Sequence, residues 1–151
     1  MEYPAVFEVA EEGGFVVRFP DFGWGVTQGD TEEEAREMAA DAIRTMIREL
    51  IRQGEEIPRP SRPRGRKNRM IRLAALDAAK TQLYMTFLSS GIRKTELARR
   101  LGIPKTTIDR LFDLDRHTRL DQMEAAFAAL GKRLSIEIGD AEYKPAALLK
   151  L

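Results

Sequence analysis

Acidic side chains around residue 21 are the first candidates for chemistry in this chain. Asp21 follows an apolar run, and further carboxylates come at Asp30 and at Glu32 to Glu34. Nucleases of the two-metal class need several carboxylates that converge on ions about 4 Å apart. Asp30 belongs to a predicted turn, and the glutamates are accounted for by the start of a helix, where negative charge is favourable. Metal-dependent catalysis is therefore disfavoured, and we predict no catalytic residue, metal or cofactor.

Aromatic residues beside Asp21 suggest another use for the same stretch. Phe19, Phe22 and Trp24, the only tryptophan, follow one another closely. Aromatics next to a sheet are often plain core, but they also supply much of the binding energy at protein interfaces. Both interpretations remain open, and Asp21, Phe22 and Trp24 are the candidate residues for binding a protein partner.

Composition excludes several other classes of function. The sequence has no cysteine and one histidine, His117, so it offers no disulfide framework and no thiolate metal site. It contains no apolar run of about 18 residues that could span a membrane. The first residues also lack the basic and apolar segments of an export signal. These features predict a cytoplasmic protein.

Charge divides the chain into unlike halves. Residues 1–57 contain 14 acidic and 5 basic side chains, a net charge of −9, whereas residues 58–151 contain 10 and 20, a net charge of +10. A basic half favours a polyanionic partner such as nucleic acid, and an acidic half favours a basic partner. The split favours two small domains over one.

The acidic half shows the pattern of a small sheet with one helix. Short apolar strands are predicted at 3–9, 15–19 and 23–27, with a Glu-Glu-Gly-Gly turn after the first. Thr31 and Glu34 form a capping box, and an apolar stripe continues from there through Arg52, which predicts a long amphipathic helix. A strand at 70–73 would complete the order βββαβ. Between the long helix and this strand, residues 55–69 are rich in proline and arginine, which predicts a linker or long loop.

The basic half carries the most specific motif, RKTELARRLGIPKTTIDRLFD, from Arg93 to Asp113. A helix over 95–101 would end at Gly102, and a second helix would begin near Lys105. Ala98 is small where the two helices must cross, and apolar residues occupy the positions that face between them. This pattern is typical of a DNA-binding helix-turn-helix. A further helix over 77–89 is predicted to precede it.

In this interpretation the second helix reads bases in the major groove of DNA. Exposed polar residues on and just after it are the candidates for contacts with base edges or phosphates, and Arg99 or Arg100 could add phosphate contacts. The predicted DNA-binding residues are Lys105, Thr106, Thr107, Asp109, Arg110, Arg116 and Arg119. A plain solvated surface remains the alternative for each arginine taken alone.

The last predicted elements concern self-association. A helix is expected over 121–130, and RLSIEI at 133–138 alternates as a strand does. A lone strand is costly to leave unpaired, so we expect it to pair with the same strand of a second copy. The resulting two-fold dimer would suit a palindromic DNA site. Residues 140–151 form a tail without a clear pattern.

With these motifs in their order, the chain resembles the HicB antitoxins, partners of the small ribonuclease toxin HicA. The resemblance rests on the opening strands, on FPDF and TQGDTEEEA, on the amphipathic helix, on IRLAALDAAK, and on the stretch from TELARRLGIPKTTIDRLFD to RLSIEI. One departure is that Gly23-Trp24 stands where many relatives have Pro-Gly.

The resemblance implies an α+β fold in two domains. A partial ribonuclease-H-like domain at 1–74 would bind and mask the toxin, with Asp21, Phe22 and Trp24 as candidate contacts. A helix-turn-helix domain of the Xre/Cro-like type at 75–139 would bind the operator of its own operon as a homodimer or tetramer and repress transcription. The alternative is a helix-turn-helix regulator whose N-terminal domain senses a small molecule.

Overall fold

The computed structural model describes residues 1–141 of the chain. They form a mixed α+β structure with a four-stranded antiparallel sheet and five helices. The elements are, in order, β1 Glu2–Val9, β2 Phe15–Arg18, β3 Val26–Gly29, α1 Glu32–Gln53, β4 Asn68–Arg72, α2 Ala75–Ser90, α3 Lys94–Leu101, α4 Lys105–Phe112 and α5 Leu120–Ala129. The predicted order βββαβ for the first half is confirmed.

The sheet has the strand order β3-β2-β1-β4. β1 and β2 form the predicted hairpin, in which Val9 pairs with Phe15, and the Ala10 amide donates to the Gly14 carbonyl at 3.0 Å. β4 pairs with the other edge of β1, with Tyr3 opposite Ile71. The sheet thus brings a distant segment back beside the first strand.

The third strand lies further along the chain than the predicted 23–27. Gly23 and Gly25 adopt φ values of 72° and 86°, which are left-handed conformations that interrupt an extended strand. β3 therefore starts only at Val26 and includes Gly29, which the sequence placed in the closing turn. A Cβ on Gly29 would lie 2.4 Å from the Ala35 backbone nitrogen, so only glycine allows this close approach of strand and helix.

Helix α1 covers one face of the sheet. Its start uses the predicted Thr31 cap, whose hydroxyl accepts from the Glu34 amide at 3.1 Å. The return bond differs from the prediction, because the Glu34 carboxylate accepts from the amide of Asp30 and not from that of Thr31. The apolar stripe packs on the strands as expected, apart from Met38, which is 41% exposed. Its buried members are Ala35, Ala39, Ile43, Met46 and Ile47.

The second half of the described chain is helical. α2 begins slightly before the predicted helix, and the other three helices match their predicted positions closely. The Phe112 ring at the end of α4 lies against α2, with ring centroids 5.5 Å from Tyr84 and 5.1 Å from Phe87. None of the helices in residues 1–141 is long and apolar enough to cross a bilayer.

Arg44 and its neighbours on α1 join the two halves of the chain. The Arg44 guanidinium donates to the Asp77 carboxylate of α2 at 3.1 Å and to the Leu114 carbonyl after α4 at 2.6 Å. Arg48, one turn further along α1, pairs with Asp115 at 3.1 Å. The domain boundary near residue 74 stays a prediction. The bonds of Arg44 and Arg48 join the parts of the chain on either side of it.

Residues 133–138 form no strand within a single chain. Ile136 and Ile138 are 64% and 89% exposed, so this segment presents apolar side chains to solvent. Its pairing with a second copy stays a prediction. Most of the tail predicted at 140–151 lies outside the described residues.

Candidate functional site

Asp21, Phe22 and Trp24 lie on one side of a wide groove. The groove has a volume of about 1150 Å³ and opens to solvent, and its other walls come from residues 56–60, from the outward face of α2 and from the chain after α5. In the structure the three predicted residues therefore lie close to segments that are distant from them in sequence.

Asp21 fastens a loop to the sheet. Its carboxylate accepts hydrogen bonds from the Ser61 amide at 2.8 Å and from the Ser61 hydroxyl at 2.5 Å. Burial raises the pKa of the neighbouring Tyr3 phenol, and the negative charge of Asp21 raises it further. Asp21 therefore acts on the shape of the groove, and its carboxylate is already engaged before any partner binds.

The two aromatic candidates differ in exposure. Phe22 is half-buried, and its ring centroid lies 4.9 Å from that of Tyr3. Trp24 is 47% exposed and lines the groove. Tryptophan is enriched among the residues that supply most of the binding energy at protein interfaces. Trp24 is thus the stronger candidate for contact with a partner.

Residues 55–67 form a loop along the sheet, which is shorter than the predicted 55–69 because Asn68 and Arg69 belong to β4. Ile57 is buried, and the Tyr3 hydroxyl donates to the Pro58 carbonyl at 2.7 Å. The Tyr84 hydroxyl of α2 donates to the Glu55 carbonyl at 2.9 Å. Ile57, the one large apolar residue in a proline- and arginine-rich stretch, was the available sequence signal for this anchoring.

Helices α3 and α4 pack as a pair around a short turn. Gly102 ends α3 with φ 65°, the left-handed conformation that the motif requires. Leu97 and Ile108 are fully buried between the helices, and Ala98 is 5% exposed at their contact. The predicted core of this helix pair is therefore present, and it leaves the other side of α4 facing solvent.

The exposed side of α4 carries an uneven set of polar groups. Within residues 1–141, the exposed side chains of Lys105, Thr106 and Arg110 have no hydrogen bond or ion pair. Asp109 is bound to Lys94 of α3 at 2.6 Å, and Thr107 is half-buried. Of the predicted α4 residues, Lys105, Thr106 and Arg110 are thus the ones available to a ligand.

Arginines around α4 are paired with acids of the same chain. Arg119 binds Asp121 at 2.5 Å, and Arg116 lies 3.7 Å from Asp113. Hydrogen bonds from Arg99 and Arg100 lower the pKa of Glu96 to about 2. These arginines, predicted to contact phosphate, must exchange or share their carboxylate partners to do so.

Lys80 is a functional candidate that the sequence did not reveal. This lysine of α2 is fully buried, and its ammonium donates to the carbonyls of Arg110 and Asp113 at 2.9 Å and 2.7 Å. These carbonyls belong to the end of α4, where a helix leaves acceptors unpaired and favours positive charge. Desolvation lowers the pKa of Lys80, while Asp113 and Asp77 act in the opposite direction. Lys80 therefore fixes α4 on α2.

Three observations concern metal sites and catalytic or ligand-binding sites. Across residues 1–141, no three side chains of the His, Cys, Asp and Glu types are grouped as a metal site would require. His117 lies exposed in the loop before α5. Nor does that part of the chain contain a buried side-chain polar atom without a hydrogen-bond partner.

Comparisons with known proteins define the class. The profile of a family described as "HicB_like antitoxin of bacterial toxin-antitoxin system" matches residues 2–82. Antitoxin HicB of Escherichia coli K12 is 42% identical over 136 residues, which cover 90% of this chain and 98% of that protein. Antitoxin HicB 1 of Photorhabdus laumondii is 39% identical over 138 residues, covering 91% and 87%.

A solved structure, "Toxin-Antitoxin complex from Streptococcus pneumoniae", matches 41% of this chain and 45% of its own chain at 32% identity, with a TM-score of 0.38. The matching family profile places the chain among the antitoxins of bacterial toxin–antitoxin systems. Within that class, the chain belongs to the HicB family.

Proposed function

We propose that this protein neutralises a HicA-type ribonuclease toxin by covering it with the groove beside Trp24. Membership of an antitoxin family is the observation that carries the proposal. The groove offers an exposed indole next to apolar side chains of the loop and of α2, the kind of centre that dominates protein interfaces. Masking a toxin requires no chemistry from the antitoxin, which would act without catalysis or cofactor.

Charge supports the same partner. Residues 1–57 have a net charge of −9, and a toxin that binds RNA is expected to be basic. Opposite charges accelerate association and favour the correct partner. The βββαβ order is also compatible with the partial ribonuclease-H-like fold that the family resemblance implies.

The second part of the proposal is autorepression through α3 and α4. Acting as a helix-turn-helix, the pair would place α4 in the major groove, with Lys105, Thr106 and Arg110 directed to bases and Arg116 and Arg119 to phosphates. Two copies joined through residues 133–138 would present their α4 helices about 34 Å apart, one turn of DNA. Binding at its own operator in the cytoplasm would then lower transcription.

No specific observation favours a small-molecule sensor instead. The groove is open, and within the described residues no buried polar side chain lacks a hydrogen-bond partner. A sensor pocket would bring such groups together inside an enclosed apolar cavity.

The proposal is tested by separating its two activities. The double variant Lys105→Ala and Arg110→Ala removes two unpaired cations of α4 and leaves the groove intact. We expect it to lose gel-shift binding to its own promoter and to inhibit toxin-catalysed RNA cleavage as well as the wild type does. Loss of both activities together would contradict separate surfaces for toxin and DNA.

A further inference from the structure

The basic loop is defined here as residues 59–67, with the sequence RPSRPRGRK. Arg59 and Pro60 line the groove, and the residues of the loop after them have no role in the proposed function. We propose that the basic loop binds the phosphate backbone of duplex DNA as a second contact, independent of base sequence and separate from α4. The inference extends the proposed DNA-binding function to a surface outside helices α3 and α4. Its cationic members are Arg59, Arg62, Arg64, Arg66 and Lys67.

The five cationic side chains of the basic loop lie close together in sequence and lack internal partners in the described part of the chain. All five are exposed, and within residues 1–141 none of them forms an ion pair or side-chain hydrogen bond. Elsewhere on α1 and β4, exposed arginines are neutralised by nearby acids: Arg36 binds Glu32 at 3.3 Å, and Arg72 binds Glu2 at 2.9 Å. The basic loop therefore retains a concentrated positive charge that the fold does not use.

The loop is held in place at both ends. Asp21 binds Ser61 in its first part, and the Tyr3 hydroxyl binds Pro58 just before it. At the far end, the Asn68 side-chain amide donates to the Arg64 carbonyl at 3.2 Å. Because these bonds use backbone groups or the serine, the cationic side chains remain free while their backbone is positioned. Such preorganisation reduces the entropy lost on binding.

Chemistry favours phosphate as the ligand. The loop contains no acid, and four of its five cations are arginines, whose planar guanidinium binds phosphate oxygens through paired hydrogen bonds. Residues 1–57 are strongly acidic and would repel DNA without such a patch. Arg59 and Pro60 line the groove, whereas the cations further along the loop would repel a basic toxin, which separates them from the toxin-binding role.

The experiment compares two triple variants of the full-length protein. In one, Arg62, Arg64 and Arg66 are changed to Gln. The control changes Arg36, Arg52 and Arg72 to Gln, three exposed arginines that pair with acids of the chain. Both variants lose the same charge, so a difference between them reports position and not net charge. Thermal unfolding first confirms that both are folded.

Fluorescence anisotropy then measures affinity for a random-sequence DNA duplex across a salt series. Removing one phosphate contact should reduce the slope of log affinity against log salt by about 0.9, so the slope of the loop variant should be smaller by about 2 to 3. We expect the slope of the control to differ from that of the wild type by less than about half of the change that one lost phosphate contact would cause.

Equal slopes for the loop variant and the wild type would overturn the proposal, as would equal reductions in both variants. Unchanged DNA binding with weakened toxin binding would also overturn it, because the loop would then bind protein. Promoter preference is measured separately on the same duplex length. If the wild type shows no such preference but the slopes differ, the repressor function fails and the loop contact stands.

Discussion

Lys80→Met is the most informative single change, because Lys80 connects α2 to the end of the proposed DNA-reading helix. Methionine keeps a long unbranched side chain in the buried space and removes only the ammonium. The carbonyls of Arg110 and Asp113, which accept from that ammonium at 2.9 Å and 2.7 Å, then lose this donor, and the Asp113 carbonyl keeps its bond from the Arg116 amide at 3.2 Å. The substitution acts on α4 directly, because the lost hydrogen bonds end on carbonyls at the end of that helix.

The expected loss of stability follows from two opposing effects. Each hydrogen bond to a charged group contributes about 1.5–3 kcal/mol, and a buried acceptor left without a donor is costly. Removing the ammonium also removes its own desolvation cost, which is several kcal/mol for a buried ion. We therefore expect a net loss of about 2–4 kcal/mol, or a decrease of about 5–15 °C in melting temperature for a chain of this length.

Thermal unfolding followed by circular dichroism measures this loss, with Lys132→Met as the control. Lys132 is exposed and has no side-chain partner in residues 1–141, so its variant should melt with the wild type. Promoter affinity should fall in Lys80→Met and stay constant in the control. A Lys80→Met protein that melts within about 1 °C of the wild type would refute the role given to this lysine.

Three further changes test other parts of the structure. Trp24→Ala should weaken toxin binding by at least about 30-fold, the loss typical of a central aromatic anchor; calorimetry checks this, and wild-type affinity would exclude Trp24 from the interface. Gly29→Ala should destabilise the fold by about 1–3 kcal/mol or more, because the new Cβ would lie 2.4 Å from the Ala35 nitrogen. Gly139→Ala is the control, since its Cβ would meet nothing within 4 Å. Equal urea midpoints for the two variants would contradict this packing. Hydrogen bonds from Arg99 and Arg100 lower the pKa of Glu96 from 4.5 to about 2, so its stabilising contribution is complete above pH 4.5 and is lost as the pH falls towards 2. Glu96→Gln should therefore lose less stability than the wild type over that acid range, and identical acid unfolding profiles would show that the pair contributes nothing.

Local patterns were sufficient to predict most of the elements. The Thr31 cap and apolar stripe fixed α1, because both depend on residues within one helix. The α3–α4 pair was likewise predictable, since Gly102 and the small Ala98 specify the turn and the close crossing. Alternation and turn residues located the β1–β2 hairpin for the same reason.

Contacts between distant segments were not predictable in this way. The predicted position of β3 was wrong because the sequence does not exclude Gly23 and Gly25 from a strand. Their positive φ angles are seen only in the folded chain. Lys80 looks like an ordinary surface lysine on its helix until α4 is packed above it. The role of Asp21 also depends on a loop residue, Ser61, 40 positions away. In each case the decisive partner is remote in sequence.

Hydrogen–deuterium exchange on the full-length protein tests the separation of the two binding surfaces most directly. With a purified HicA-type toxin, we predict protection at residues 19–27 and on the groove-facing part of α2, with α4 unchanged. With promoter DNA, we predict protection at residues 103–110 and in the basic loop, with Trp24 unchanged. Toxin-induced protection centred on α4, or DNA-induced protection centred on Trp24, would contradict the assignment of the two ligands to separate surfaces.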